Sequence, residues 1–495
     1  MILPSNKRIK AFLGSDRKIT KGLEKENLRS DISGKISSKS FPLSLGEFSC
    51  NEYVTLDYSE PHLELVSPTF ENNVQLLSFL KNLHKFVENN IDGDLLWNYS
   101  MPPKFKQKFI KLPDFGVSNE SKLSYLYRLG LRNRYGDKMQ STAGIHFNIS
   151  FSDDIINRVA ASKNEFYLGI CRNFLRVFPI ALRLTGCSPI THKSFVKGRN
   201  LQVEKLNDQD CYLPNATSLR VSRLGYYSDQ QEEKFITFNS LKEYLQLINE
   251  YINVPNEKFR EISTDFGNLQ QINNGTIQME SELYNHIRPK GRQTSERQYL
   301  QLSKDGIEYL EIRSIDLNPY SEIGLSKHDI EFWELIIILC ALSDSPEIEE
   351  DEVLIIKENI RRAAESGQNC NILKGFEDQR GEENISLVTE DLINDMKNLS
   401  TALGVTKEYQ EMINEYLSRN KIPPSSKFLS DVNENKSLFK TVLDLSKPLN
   451  HKIEDDVNKQ FLDEVASSNI KYNELSNQKD IAFEEFIMKY REEIK

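Results

Sequence analysis

The sequence predicts an α+β fold in which a mainly antiparallel or mixed sheet is flanked by helices. Three observations carry that expectation. Strand-like segments fall mainly between residues 20 and 316, and helical periodicity takes over from residue 328. Helices are inserted between the strands and follow them, a segregation that favours α+β over a doubly wound βαβ arrangement. No Gly-x-x-x-x-Gly-Lys-Ser/Thr or Gly-x-Gly-x-x-Gly loop is present, so a nucleotide would be held by metals and side chains instead of a glycine cradle.

In chain order, residues 1–35 read as a short helix and then a strand carrying Glu24 and Glu26. Tyr53–Tyr58 alternates as a strand, and Pro61 breaks the chain before a further strand at Leu63–Val66. Leu76, Leu77, Leu80, Leu83 and Phe86 recur at helical spacing and predict an amphipathic helix over 71–90. A second helix over 120–138 ends near Gly136, and the apolar stripe Ile156, Val159, Phe166, Ile170, Phe174 and Phe178 predicts helix over 153–186. The polar stretch 188–211 reads as a loop, 238–252 as a helix, and 268–316 as several strands. Beyond 328 the chain reads as helical, interrupted by a polar, Gly-containing segment around 366–385, with Lys- and Glu-rich surface helices at the end.

With 495 residues the chain can bury a large core, and length alone suggests two or three domains. A formal net charge of −10 argues against nucleic acid or an anionic membrane as the main partner, but leaves room for small anionic ligands. The six cysteines are scattered without a Cys-x-x-Cys pair, as befits free thiols in a reducing cytosol. No apolar signal segment develops at the N-terminus. The most apolar run, Leu335–Leu342, falls well short of the about 20 residues of a membrane span and reads as a buried core helix. A cytoplasmic protein is expected.

Within the predicted strands, side chains two apart share a face. Glu24 stands beside Glu26, Glu311 beside Arg313, and His146 beside Asn148, with Ile145 and Phe147 on the reverse side. Adjacent carboxylates repel unless protons, cations or a metal balance them. Glu24, Glu26, Asp57, Glu64, His146 and Glu311 form a hard, oxygen-rich donor set suited to Mg²⁺ or Mn²⁺, which points towards a nucleoside triphosphate. Arg128, Arg220, Arg288, Lys290 and Arg313 are the matching candidates for phosphate or carboxylate recognition, and Tyr226 and Tyr284 for the wall of a small pocket. Taken singly, each acid is more often found on a solvated face, a histidine such as His146 in a hydrogen-bonded core, and each tyrosine half-buried in a strand. Spacing alone does not bring the segments together.

Six blocks in order resemble one family. Gly22-Leu23-Glu24-Lys25-Glu26-Asn27-Leu28-Arg29 resembles the G-L-E-x-E-x-L-R signature of the gammaproteobacterial-type glutamate–cysteine ligases. The likeness continues through Asn133–Gly136, the strand reaching His146 and Asn148, Ala216–Arg220, Glu282–Tyr284 with Ile287–Lys290, and Glu308–Ser314. The resemblance implies a glutamine-synthetase-like fold, a curved antiparallel sheet forming a funnel for metal ions and ATP. It implies that ATP phosphorylates the γ-carboxylate of L-glutamate and that the amine of L-cysteine attacks the acyl phosphate, giving γ-glutamylcysteine, the first step of glutathione synthesis.

By the same resemblance Glu24, Glu26, Asp57, Glu64, His146 and Glu311 ligate Mg²⁺ (or Mn²⁺), and Arg313 faces the transferring phosphoryl. Arg288 and Lys290 meet the nucleotide phosphates, Arg128 helps hold glutamate, and Arg220, Tyr226 and Tyr284 shape the cysteine pocket. No membrane or nucleic-acid partner is implied, and a monomer is expected. The chain reads as one catalytic unit, a core over about 20–345 followed by a mainly helical region over about 346–495, without room for the glutathione synthetase domain of fused bifunctional forms. One departure is Gln140-Ser141-Thr142-Ala143-Gly144-Ile145-His146, where the family usually reads Q-T-I-S-G-V-H. Two alternatives remain beside this reading: a related carboxylate–amine ligase with another acceptor, and a catalytically inactive binding relative.

Overall fold

The computed structural model describes residues 3–199, 202–294, 296–375 and 381–494. Its centre is a seven-stranded antiparallel sheet built around one long strand, β1 (Ile19–Ser30). On one side β1 pairs with β3 (His62–Val66), which pairs with β2 (Val54–Leu56). On the other side its first half pairs with β5 (Gly144–Phe151) and its end with β4 (Leu95–Trp97). Three short strands follow as a separate small sheet, β6 (Ile190–His192), β7 (Glu204–Lys205) and β8 (Asp210–Tyr212). The main sheet is completed by β9 (Ile287–Lys290) and β10 (Tyr309–Asp316), with β10 between β5 and β9. β11 (Asn371–Lys374) and β12 (Gly381–Asn384) pair as a two-stranded ribbon. The α+β expectation holds, and the sheet is antiparallel throughout.

Strand alternation makes the sheet two-faced. Leu23, Leu63, Leu65, Ile145, Phe147, Ile149, Leu310 and Ile312 are fully buried on the lower face. They pack in one core with the helices Asn73–Glu88, Lys163–Thr185 and Lys327–Leu342. The last of these is buried from Asp329 to Leu342 and apolar all round from Leu335 onward, as the Leu335–Leu342 run predicted. Its start is set by a capping box in which Ser326 and Asp329 satisfy each other's backbone N–H.

Two lysines on β1 interrupt the apolar face. Lys21 is 2% exposed, and its ammonium pairs with Glu334 and donates to the Glu71 carbonyl at 2.8 Å. Glu334 also accepts from Asn73 at 2.6 Å and from Tyr409 at 3.2 Å. Lys25, fully buried, contacts Asn27 and His84 Nδ1. Burial, opposed by Glu88, brings its ammonium down to about 7.

Several expectations need correction. Residues 188–211 are not a plain loop: they hold β6, β7, most of β8 and the helical turn Lys193–Val196, with residues 200 and 201 outside the described residues. Of the strands expected over 268–316 only β9 and β10 form. The rest is turns, such as those held by Gln271 donating to the Phe259 and Ile262 carbonyls, and a short helix, Gln298–Asp305, ahead of β10. The helix expected over 153–186 is two, Asp153–Val159 and Lys163–Thr185. The strand at Tyr53–Tyr58 shrinks to β2, so Asp57 lies just past its end. The interruption near 366–385 is the β11–β12 ribbon, with 376–380 outside the described residues.

Removing one partner of a buried ion pair strands the other charge, at about 3–5 kcal/mol, whereas replacing both by apolar groups is often neutral. Lys21→Met should therefore destabilise the protein by that amount, and Lys21→Met/Glu334→Leu should recover most of the loss in denaturant titrations. A double variant as unstable as the sum of the two singles would show that the pair does not act as a unit.

Candidate active site

The upper face of the sheet carries the chemistry. β1 and β5 put Glu24 opposite His146 and Gly22 opposite Asn148, and β1 and β3 put Glu26 opposite Glu64. β10 sets Glu311 opposite Asn148 on one side and Arg288 on the other. A register shift between Ile312 and Ile315 adds one residue to β10 and re-aims Arg313 and Ser314. The helix Asn119–Tyr135 forms the facing wall, with Ser124, Tyr127, Arg128 and Leu131 on its inner side. It ends as predicted near Gly136, whose φ of 80° suits glycine as a helix stop.

These elements enclose a cavity of about 350 Å³. Glu24, Glu26, Asp57, Glu64, Arg128, His146, Arg220, Tyr226, Arg288, Lys290, Glu311 and Arg313 all line it. Of the residues singled out from sequence, only Tyr284 does not. It packs edge-on against Tyr226 at 4.2 Å and lines a neighbouring cavity of about 360 Å³ that shares Tyr226 as its wall. Gln140, not singled out beforehand, lines the funnel and donates to the Tyr284 hydroxyl at 2.9 Å.

The acid pair is not left to repel. His146 lies between the two carboxylates, with Nδ1 3.0 Å from Glu24 and Nε2 3.2 Å from Glu26. Burial and the Arg313 charge disfavour a proton on His146, but the hydrogen bonds to Glu24 and Glu26 prevail and raise it to about 10. Burial opposes charge on Glu24 and Glu26 too, and the same hydrogen bonds keep both below the ordinary carboxylate range. Glu24 also accepts from Asn148 at 2.8 Å, and Glu26 from the Gly144 N–H at 2.6 Å. Glu311 is held well below that range against burial by Arg313, at 3.0 Å, with Lys290 and Arg288 adding to the effect. Glu64 goes the other way: burial, then Glu24 and Asp57, push it well above.

Three of the arginines are anchored by backbone carbonyls. Arg128 stacks on Phe115 at 4.3 Å and donates to the carbonyls of Leu56, Asp57 and Ser124. Arg288 donates to the Leu283 carbonyl at 2.6 Å. Arg220 donates to the Arg313 carbonyl at 3.1 Å, and its guanidinium lies where a Cβ on Gly144 would stand, 2.1 Å away. Only glycine at 144 admits that approach.

A divalent cation fits this donor set. One ligand atom each from Glu24, Glu64 and His146 lie within 4.8 Å of one another. The Asn148 carbonyl oxygen beside them is buried with no donor. All the donors are oxygen or imidazole nitrogen, the hard set that Mg²⁺ and Mn²⁺ take.

A family model for glutamate–cysteine ligase matches residues 7–363. The chain belongs to the glutamate–cysteine ligase family. It is 36% identical to a glutamate–cysteine ligase of Wigglesworthia glossinidia brevipalpis over 419 residues, 82% of either chain. It is 34% identical to that of Serratia proteamaculans over 417 residues, 81% of this chain and 80% of the relative. The structure of the Francisella tularensis glutamate–cysteine ligase in complex with AMP superposes with a TM-score of 0.90 at 27% identity, covering 96% of this chain and 98% of that one. A bifunctional glutathione synthetase of Pasteurella multocida shares the fold, with a TM-score of 0.70 at 20% identity over 96% of this chain and 58% of that one. The chain is thus an ATP-dependent ligase that forms γ-glutamylcysteine, the first step of glutathione synthesis, on a glutamine-synthetase-like fold. Among the described residues, no helix is long and apolar enough to cross a membrane.

Two histidines behind the site have the opposite setting to His146. Burial, then Lys25, lowers His84 to about 4, and burial, then Arg220, lowers His286 to about 4. A histidine whose folded value lies below its unfolded one, about 6.5, favours the native state at neutral pH; that contribution is lost as pH falls from about 6.5 to 4. Nuclear magnetic resonance of ¹³C-histidine-labelled protein should show both rings neutral down to pH 5. Titration of either ring near 6.5 in the folded protein would contradict the burial assigned to it.

Proposed function

We propose that the funnel makes γ-glutamylcysteine through a γ-glutamyl phosphate, with Glu24, Glu26, Asp57, Glu64, His146 and Glu311 holding divalent cations, Mg²⁺ or Mn²⁺. The observation that carries this reading is one cavity lined by five carboxylates and an imidazole with four arginines and a lysine around them. When bound, the cations neutralise the triphosphate and polarise its terminal phosphorus. Because a ligand must be deprotonated, cation loading would work against the burial that raises Glu64 and the hydrogen bonds that raise His146.

In this reading Arg313, its fork steadied by Glu311, meets the charge that develops on the phosphoryl group in flight. Arg288 and Lys290 receive the nucleotide phosphates. Arg128, on the facing wall, helps to hold L-glutamate. Attack of the glutamate γ-carboxylate on the terminal phosphorus yields the acyl phosphate and ADP. The amine of L-cysteine then attacks the acyl carbon and phosphate leaves, with no covalent protein nucleophile required. Arg220 receives the cysteine carboxylate, and Tyr226, backed by Tyr284 and Gln140, closes around the side chain. The C-terminal helices share the core of the sheet, which supports the whole chain acting as one catalytic unit.

The assay is phosphate release from ATP that requires glutamate and cysteine together. Glu24→Gln and Glu26→Gln should each lower turnover by more than the roughly 10- to 100-fold seen when only an outer partner of a metal ligand is lost. Arg313→Lys keeps the charge but loses the fork, and should lower kcat by about 100-fold with a smaller change in the ATP KM. A rise in the ATP KM alone would make Arg313 a ground-state binding residue.

Arg220→Ala should raise the cysteine KM by about 10- to 100-fold and leave the glutamate KM nearly unchanged. Gly144→Ala should act in the same direction, because its Cβ would displace the Arg220 guanidinium. A defect confined to glutamate would move Arg220 to the donor side.

A further inference from the structure

Asn148 stands in the middle of the ligand row. On β5 it faces Gly22 of β1 on one side and Glu311 of β10 on the other. Gly22 offers no side chain, so the Asn148 amide leans along the sheet to the diagonal neighbour, a distance that longer side chains span. There it donates from Nδ2 to Glu24 Oε1 at 2.8 Å, while His146 Nδ1 holds the other oxygen, Oε2, at 3.0 Å. Two residues of one strand thus clamp both oxygens of Glu24. The reverse amide orientation would set a carbonyl against the carboxylate, so the donor must point to Glu24.

The two clamps are not equivalent once a cation is present. An imidazole nitrogen that ligates a cation through its lone pair cannot also donate a proton from that atom. If Nδ1 is the ligating atom, His146 loses its hold on Glu24, and the Asn148 N–H remains as the protein donor that orients the carboxylate. The Asn148 carbonyl oxygen, buried without a donor, is then free to accept from the hydration shell of the cation.

We propose that Asn148 is a positioning residue for the divalent cation, fixing the Glu24 carboxylate from outside the ligand set. The proposal rests on the cation reading given above. It predicts an effect on metal affinity before any substrate binds, because an outer partner of a ligand is worth about 10- to 100-fold in affinity.

The experiment is Mn²⁺ titration of the full-length, substrate-free protein, with free Mn²⁺ followed by electron paramagnetic resonance. Asn148→Leu keeps the volume and removes the donor, and Asn148→Ala removes both. Each should weaken Mn²⁺ binding by about 10- to 100-fold, while the thermal midpoint of the metal-free protein shows that the fold persists. A purely structural role would lower that midpoint and leave the Mn²⁺ affinity of the folded protein unchanged. Wild-type affinity in both folded variants, with Glu24→Gln still defective, overturns the role of Asn148 alone. Equal Mn²⁺ binding by wild type and Glu24→Gln overturns the cation reading, and this inference with it.

Discussion

The structure depends on charge balance across one face of a sheet. Glu24, Glu26, Glu64 and Glu311 stand close together where water has little access, and an uncompensated buried carboxylate costs several kcal/mol. His146 and Arg313 supply the balance from within the protein. His146 bridges the acid pair, and Arg313 neutralises Glu311 one strand further along. Glu64 obtains no such partner among the described residues, and burial with Glu24 and Asp57 pushes it well above the ordinary carboxylate range.

That balance works only if the register of β1 is held. A slip of one residue would turn Glu24 and Glu26 downwards and raise Leu23 and Lys25 into the funnel. The layer beneath resists this at specific points. Lys21 is tied to Glu334 and Lys25 to His84, so two buried lysines on the reverse face anchor the strand to the helices Lys327–Leu342 and Asn73–Glu88. Polar groups below thus specify which polar groups face up.

The two-faced strands were legible in the sequence because period-two alternation reports directly on a half-buried sheet, as with Glu24, Glu26, His146 and Asn148. The ordered blocks made the fold and the ligand candidates legible as well. Other features left no local signal. The extra residue in β10 that re-aims Arg313 is set by pairing with β5, and nothing around Ile312–Ile315 announces it. The bridging of Glu24 and Glu26 by His146 depends on inter-strand register, so the sequence showed a repulsive pair where the structure shows a compensated triad. Residues 268–286 alternate enough to resemble strands, but Arg134, Gln271 and Glu282 draw their backbone polar groups into a buried network of turns. Tyr284 was grouped with Tyr226 by chemistry and by the resemblance, and the edge-on packing of the two rings sets Tyr284 in the wall of the next cavity.

The family model stops at residue 363, yet helices beyond it bear on the sheet from two directions. From below, Tyr409 reaches Glu334, the partner of Lys21, while Tyr416 and Arg419 converge on Asp329 at 2.9 and 2.8 Å, beside the cap that starts the core helix. From the side, the last helix, Phe483–Glu492, places Ile487 against Leu123 and Leu126 of the wall helix, and the segment before it binds the Asn119 backbone through Asp480 at 2.7 Å. Leu123 and Arg128 belong to that wall helix, so these contacts seat the element that carries Arg128. Among the described residues, the C-terminal helices supply no side chain to the funnel, and their influence on it passes through β1 and the wall helix.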